Sequence, residues 1–171
     1  MEKENIEEFI ELVLKARSDE ASEQVKAIQA GMSSVLQGNL DAISYLSPSA
    51  IETRACGEKT VQVDLLKSIT IYSHCSAEHE AIKRFWRVFE SFSPQERSLY
   101  LKFVWGRNRL PMDLRHCERH KISLLTRMDD RGFPQSHTCF FTLDLPYYKD
   151  DEICRKRILS AAELCGSVDT D

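Results

Sequence analysis

Several kinds of chemistry are missing from this sequence, and each absence narrows what the chain can do. No stretch approaches the roughly 18 consecutive apolar residues that a membrane-crossing helix needs. The start, Met1-Glu2-Lys3-Glu4-Asn5, is acidic and lacks the charged-then-apolar order of a secretory signal. An intracellular, reducing setting is therefore expected: the cytoplasm, with the nucleus also open. Positive charge is not in excess. There are 23 Lys and Arg against 27 Asp and Glu, giving a net charge of −4 and a pI of about 5.8. That balance argues against a nucleic-acid partner, which needs a broad basic surface. There is no glycine-rich phosphate loop of the Walker or dinucleotide type, no internal repeat and no low-complexity segment. No two of the six cysteines stand in C-x-x-C spacing. His116-Cys117 with His120 is the nearest approach to a metal set, and no second cysteine pair completes a tetrahedron. Neither a metal nor another cofactor is expected.

What is present is globular. Hydrophobic residues make up 42% and charged residues 29% of 171 positions, enough for one ordinary domain or two small lobes. The first part reads as helical. Ile6, Phe9, Ile10, Val13 and Leu14 fall on one stripe of a helix over residues 5–17, with Asn5 as its cap. Val25, Ile28, Met32, Val35 and Leu36 mark a second helix over 19–36, with Gly38 as a stop. Shorter helical pieces are expected at 40–46 and, capped by Ser47 with Pro48 in the first turn, at 48–55. Cys56-Gly57-Glu58-Lys59-Thr60 then breaks the texture, and a hinge is expected at 58–60.

Beyond it the pattern is mixed. A short helix is expected at 61–67 and an extended piece at 69–72. A helix over 78–91 carries Ile82, Phe85, Trp86 and Phe89 on one face. Ser93-Pro94-Gln95-Glu96 has the form of a capping box for the next helix, which stops at Gly106. The aromatics at this spacing are expected in the core. Residues 112–118 look irregular, 121–127 a strand, and Asp150 or Asp151 caps a last helix that ends at Gly166. The fold class is therefore α+β: a helical N-terminal segment, then a small mixed α/β lobe with a short sheet.

One thiol stands apart. In Phe133-Pro134-Gln135-Ser136-His137-Thr138-Cys139-Phe140-Phe141, a proline loop runs into a β-like stretch from Thr138 to Leu145, which Pro146 should end. Cys139 falls at the junction, where another protein can reach it. Cys56, Cys75, Cys117, Cys154 and Cys165 are expected mostly to be small buried hydrophobes. A thiol hydrolase would need a distant histidine. His74, His79, His116 and His120 show no motif around them.

Three segments taken together carry a resemblance. Phe85-Trp86-Arg87-Val88-Phe89-Glu90-Ser91-Phe92-Ser93-Pro94-Gln95-Glu96-Arg97, then Phe103-Val104-Trp105-Gly106-Arg107-Asn108-Arg109-Leu110-Pro111, then Pro134-Gln135-Ser136-His137-Thr138-Cys139-Phe140 resemble, in order and spacing, the C-terminal lobe of HECT-type ubiquitin ligases. The wording at Val104-Trp105-Gly106-Arg107 and the Asp169-Thr170-Asp171 tail are similar to the large HERC-type members. The resemblance implies that residues 1–57 are the C-terminal helices of a truncated N-lobe, 58–60 a hinge, and 61–171 the C-lobe. It implies that a ubiquitin-conjugating enzyme delivers ubiquitin as a thioester to Cys139, and that a lysine of a protein substrate then takes it. His137 and Thr138 would support the thiol. The docking surface for the conjugating enzyme would lie before residue 1. Two positions depart from the pattern: Val168 stands where an aromatic residue is frequent, and Phe133 where leucine is common. The alternative is a catalytically impaired remnant that binds ubiquitin or a partner without transferring it.

Overall fold

A computed structural model of the chain describes residues 3–39 and 43–166. The chain divides into two compact units, Met1–Ile51 and Glu52–Asp171. In the first, α1 (Lys3–Asp19) and α2 (Ser22–Val35) form where the apolar spacing predicts them. Their stripes stay open: Phe9, Ile10, Leu14, Val25 and Ile28 are all exposed. Two helices alone offer too little area to enclose such faces. The helix expected at 40–46 lies partly outside the described residues, as do the tail and Val168. α3 (Pro48–Cys56) runs across the division between the units, and Ser47 Oγ accepts from Ala50 N at 3.2 Å at its start. Residues 57–62, which contain the expected hinge, have neither helix nor strand.

The second unit holds the core. After α4 (Val63–Ser68) and β1 (Thr70–Ser73) come α5 (Glu80–Glu90), α6 (Pro94–Trp105), β2 (His120–Met128), β3 (Gln135–His137), β4 (Thr142–Tyr147) and α7 (Asp151–Gly166). The sheet order is β1-β2-β4-β3, with the first three strands parallel and β3 an antiparallel edge. Phe85, Trp86 and Phe89 of α5 pack with Tyr100, Phe103 and Val104 of α6. Ile122, Leu143 and Leu145 of the sheet and Cys154 and Ile158 of α7 complete the core. The aromatics are core, as their spacing implies. At the start of α6, Ser93 Oγ accepts from Glu96 N at 3.2 Å, and Glu96 accepts in return from Ser93 N at 2.7 Å. Gly106 ends the helix at φ 73°, a left-handed stop that glycine adopts without a Cβ clash.

Two expectations change, and a third is narrowed. Thr138–Leu145 is not one strand. It is broken by a 3-10 turn at Thr138–Phe140, with β3 before it and β4 after it. Pro146 does not end β4 but lies inside it, where the pairing with β2 shifts register between Leu124↔Leu145 and Met128↔Tyr147. A residue without an N–H is tolerated at such an irregularity. The last helix is capped by Asp150, which accepts from Ile153 N at 2.8 Å. Asp151 instead pairs with Arg84 and Arg87 of α5, at 3.2 and 2.9 Å, and ties α7 to that helix.

A buried polar chain crosses the core. Thr70 donates to Leu66 O at 2.6 Å, so its oxygen is left to accept from His120 Nδ1 at 2.9 Å. That fixes the proton on Nδ1, and His120 Nε2 accepts from the Tyr100 hydroxyl at 2.9 Å. With both ring nitrogens engaged and no exposure, His120 cannot join His116 and Cys117 around a metal. Desolvation pushes its pKa down to about 3.

Candidate active site

β3 and β4 form a hairpin. His137 pairs with Thr142, so residues 138–141 make the reversal and Cys139 sits at its tip. The loop combines a 3-10 turn with a left-handed residue, a frequent way to close a four-residue reversal. Here the left-handed residue is Phe141, at φ 43° and ψ 45°, rather than glycine. A bulky residue pays about 1–2 kcal/mol for that conformation. Burial compensates: Phe141 is fully enclosed and stacks on Trp105 at 4.4 Å and 7°. Its carbonyl also accepts from Lys121 N at 2.9 Å, in line with the sheet. Thr142 Oγ1 donates to Phe140 O at 2.8 Å across the end of the turn. The reversal is thus fixed from its C-terminal side by the helix α6 and the strand β2.

The residues ahead of that anchor face outward. Thr138, Cys139 and Phe140 are exposed, Phe140 at 70%. Among the described residues, no hydrogen bond reaches the Cys139 thiol. Thr138 contributes its carbonyl, which accepts from Phe141 N at 3.5 Å, a long contact across the turn. His137 is half exposed, and its Nε2 lies 2.9 Å from Asp144 Oδ2. The pair is diagonal across the hairpin, since Asp144 is opposite Gln135 and His137 opposite Thr142. No hydrogen bond joins His137 to Cys139. The idea that positions two apart share a strand face does not apply to them, because Cys139 lies in the turn outside β3.

The other thiols are placed differently. Cys154 is buried in α7 and its pKa is raised to about 12, chiefly by desolvation. Cys75 and Cys117 are half-buried, and burial raises both. Cys56 is exposed at the end of α3, against the expectation of a buried residue. The Cys165 side chain lies outside what is described. His79 is used structurally: it caps α5 by accepting from Ala81 N at 3.2 Å and packs edge-on to Tyr147. No group of three or more His, Cys, Asp or Glu among the described residues could hold a metal. No described helix is long and apolar enough to cross a membrane.

Sequence reasoning missed Asp144, Trp105 and Phe141 as parts of the site. Asp144 did carry a signal, as the lone acid between Leu143 and Leu145 of an apolar strand. Phe141 read as one more residue of a continuous strand, and Trp105 only as part of a segment that carries the resemblance.

The family model described as HECT-domain (ubiquitin-transferase) matches residues 1–170. The chain is 37% identical over 98% of its length to the E3 ubiquitin-protein ligase HERC2 of Homo sapiens. It is 31% identical over 95% of its length to HUWE1 of Mus musculus, and 30% identical over 94% to RSP5 of Chaetomium thermophilum. It spans only 4% of the length of HERC2 and HUWE1, and 20% of RSP5. The HERC-type wording of the sequence is thus matched by a HERC relative, and the chain belongs to the HECT-domain family of ubiquitin transferases.

Proposed function

We propose that this chain accepts ubiquitin from a ubiquitin-conjugating enzyme as a thioester on Cys139 and passes it to a lysine of a protein substrate. The observation that carries the reading is an exposed thiol at the tip of a hairpin whose base is fixed by the Trp105–Phe141 stack. A protein-sized thioester has to approach the thiol in one orientation. A tip with a rigid base and an open face suits that approach.

The chemistry balances in two steps. The Cys139 thiolate attacks the carbonyl carbon of the ubiquitin thioester, a new C–S bond forms, and the conjugating enzyme's thiolate leaves. A substrate amine then attacks the Cys139 thioester, an isopeptide bond forms, Cys139 leaves as thiolate, and the amine loses a proton. One residue serves both steps because thiolate is a good nucleophile and a good leaving group. Exchange between two thioesters is near balance, so placement contributes more than activation. His137, oriented by Asp144, supports the second step, in which a proton must leave. Thr138 holds the turn closed through its carbonyl. Residues 58–60 act as the hinge about which the lobe 61–171 carries Cys139 from donor to acceptor, in the cytoplasm or nucleus. Gly57, at φ 89°, packs so closely on Leu110 that an added Cβ would meet the Leu110 carbonyl oxygen at 1.9 Å, which gives the hinge a fixed starting point.

The test is direct loading. The chain is mixed with ubiquitin activated as a small-thiol thioester and, separately, with activating enzyme and a panel of conjugating enzymes. A reductant-sensitive ubiquitin adduct on a non-reducing gel is expected, absent in Cys139→Ala and alkali-labile but reductant-resistant in Cys139→Ser. An adduct that maps to Cys56, or no adduct from either donor, overturns the assignment.

A further inference from the structure

A second concave site does not include Cys139. A cleft of about 670 Å³ is lined by the last turn of α3, the end of α6 and the segment after it. Arg54, Lys102, Arg107 and Arg109 line it, and among the described residues no carboxylate does. That concentration occurs in a chain whose overall charge is −4.

Three of the four cations have unspent capacity. Arg54 makes no ion pair with a described residue. Arg107 has, among the described residues, only the face of the Trp105 ring, 4.9 Å from its guanidinium carbon. Arg109 gives Nη2 to Glu52 at 2.8 Å, while its Nη1 is buried with no hydrogen-bond partner among the described residues. A buried, unsatisfied guanidinium N–H is costly, and one beside a cleft is satisfied by a ligand that brings an acceptor.

Among the described residues, opposing charges do not cancel the site. The C-terminal ends of α3 and α6 border the cleft and each contributes about half a negative charge. Together they offset about one cation. Glu52 offsets Arg109. Positive charge still prevails, and it is carried mainly by guanidinium groups. Their planar forks match the oxygens of phosphate two at a time, whereas an ammonium offers a point charge. The volume falls within the range of roughly 300–1,000 Å³ typical of small-molecule sites. It is too confined for an extended nucleic-acid track, which the acidic overall charge also opposes.

We infer that this cleft binds a small anion bearing several phosphate groups, gripped by Arg54, Arg107 and Arg109 Nη1, with Lys102 adding charge. Cys139 does not line the cleft, so a Cys139→Ala chain binds the anion as well as the parent does.

Calorimetric titration of the intact chain with sodium tripolyphosphate at constant ionic strength tests this. Saturable binding is expected. The double variant Arg54→Ala/Arg107→Ala should weaken it about tenfold or more, the scale of losing a charge-assisted pair. Arg109→Lys keeps a cation for Glu52 but removes the fork, and should weaken binding with little change in thermal midpoint. Arg115→Ala should leave the affinity unchanged, since Arg115 pairs with Asp113 and does not line the cleft. No saturable heat overturns the inference. So does equal affinity in the folded double variant, or an equal response to sulfate at matched ionic strength. Tighter binding of a phosphoserine peptide than of tripolyphosphate also overturns it, in favour of a phosphorylated protein segment.

Discussion

His137 Nε2 and Asp144 Oδ2 lie 2.9 Å apart, diagonally across the hairpin that carries Cys139. A carboxylate in this place fixes the ring's orientation. Asp144→Asn keeps the shape and removes the charge. Single-turnover assays should show unchanged loading of Cys139 and a discharge to lysine slowed about tenfold, within the lower range of general-base effects. His137→Ala should slow discharge at least as much, and the double variant little further, because the two act as one unit. Equal discharge in Asp144→Asn and the parent would remove Asp144 from the mechanism.

The Trp105–Phe141 stack makes a separate prediction about stability. Phe141 holds its left-handed backbone against local preference, and Trp105 covers its ring. Trp105→Ala removes the cover and should cost about 3 kcal/mol, the low end for such truncations because Trp105 is only half-buried. Urea denaturation measures the loss. Loading of Cys139 by activated ubiquitin should slow in the same variant, as the turn loosens. Trp105→Phe should restore most of both. A variant that unfolds earlier but loads at the parental rate would show that the stack holds the core and not the turn.

Acid should weaken the fold through His120. Its folded pKa of about 3 lies below the roughly 6.5 of a free histidine, so only the unfolded chain takes up the proton in between. The stability from this group is complete above about pH 7 and falls as the pH drops from 6.5 towards 3. Between pH 7.5 and 5 the loss should be about 2 kcal/mol. Glu52, Glu96, Asp113 and Asp151, whose pKa values are lowered by ionic or hydrogen-bonded partners, lose their contributions only further into acid. Denaturant titrations at the two pH values should show the drop in the parent and a flatter response in His120→Gln. The same drop in both would assign the acid sensitivity elsewhere.

Thiol mapping gives a fourth, independent check. Brief iodoacetamide treatment near neutral pH should label Cys139 and Cys56, both exposed. Cys75 and Cys117 should follow slowly, since burial disfavours their thiolates. Cys154, with its pKa pushed up to about 12, should react only after denaturation. Peptide mass spectrometry reads the order, and early labelling of Cys154 would contradict the packing of α7.

Much of this molecule was legible where cause and effect are close in sequence. Ser93, Pro94 and Glu96 specify the start of α6 because a capping box is local. The resemblance in three segments led to the family because it needs only residue identity and order. The hairpin was not legible. Thr138–Leu145 is β-like throughout, and none of the usual Asn-Gly or Asp-Gly signals marks a reversal. The turn exists because Trp105, far off in the chain, makes a left-handed Phe141 tolerable. His120 was grouped with its neighbours His116 and Cys117 for the same reason. Its real partners, Thr70 and Tyr100, meet it only through the sheet and the helix behind it.

The position of β4 has a consequence for synthesis of the chain. β4 lies between β2 and β3, so the hairpin cannot close until β4 has emerged and paired with β2. Those parallel pairings join distant segments, and such contacts form late and slowly. A nascent chain that ends just past Cys139 therefore carries the thiol on an unpaired segment, exposed but unpositioned. The thiol becomes positioned in one step once β4 has been made and paired, after the aromatic segments of α5 and α6 are already available to fold against.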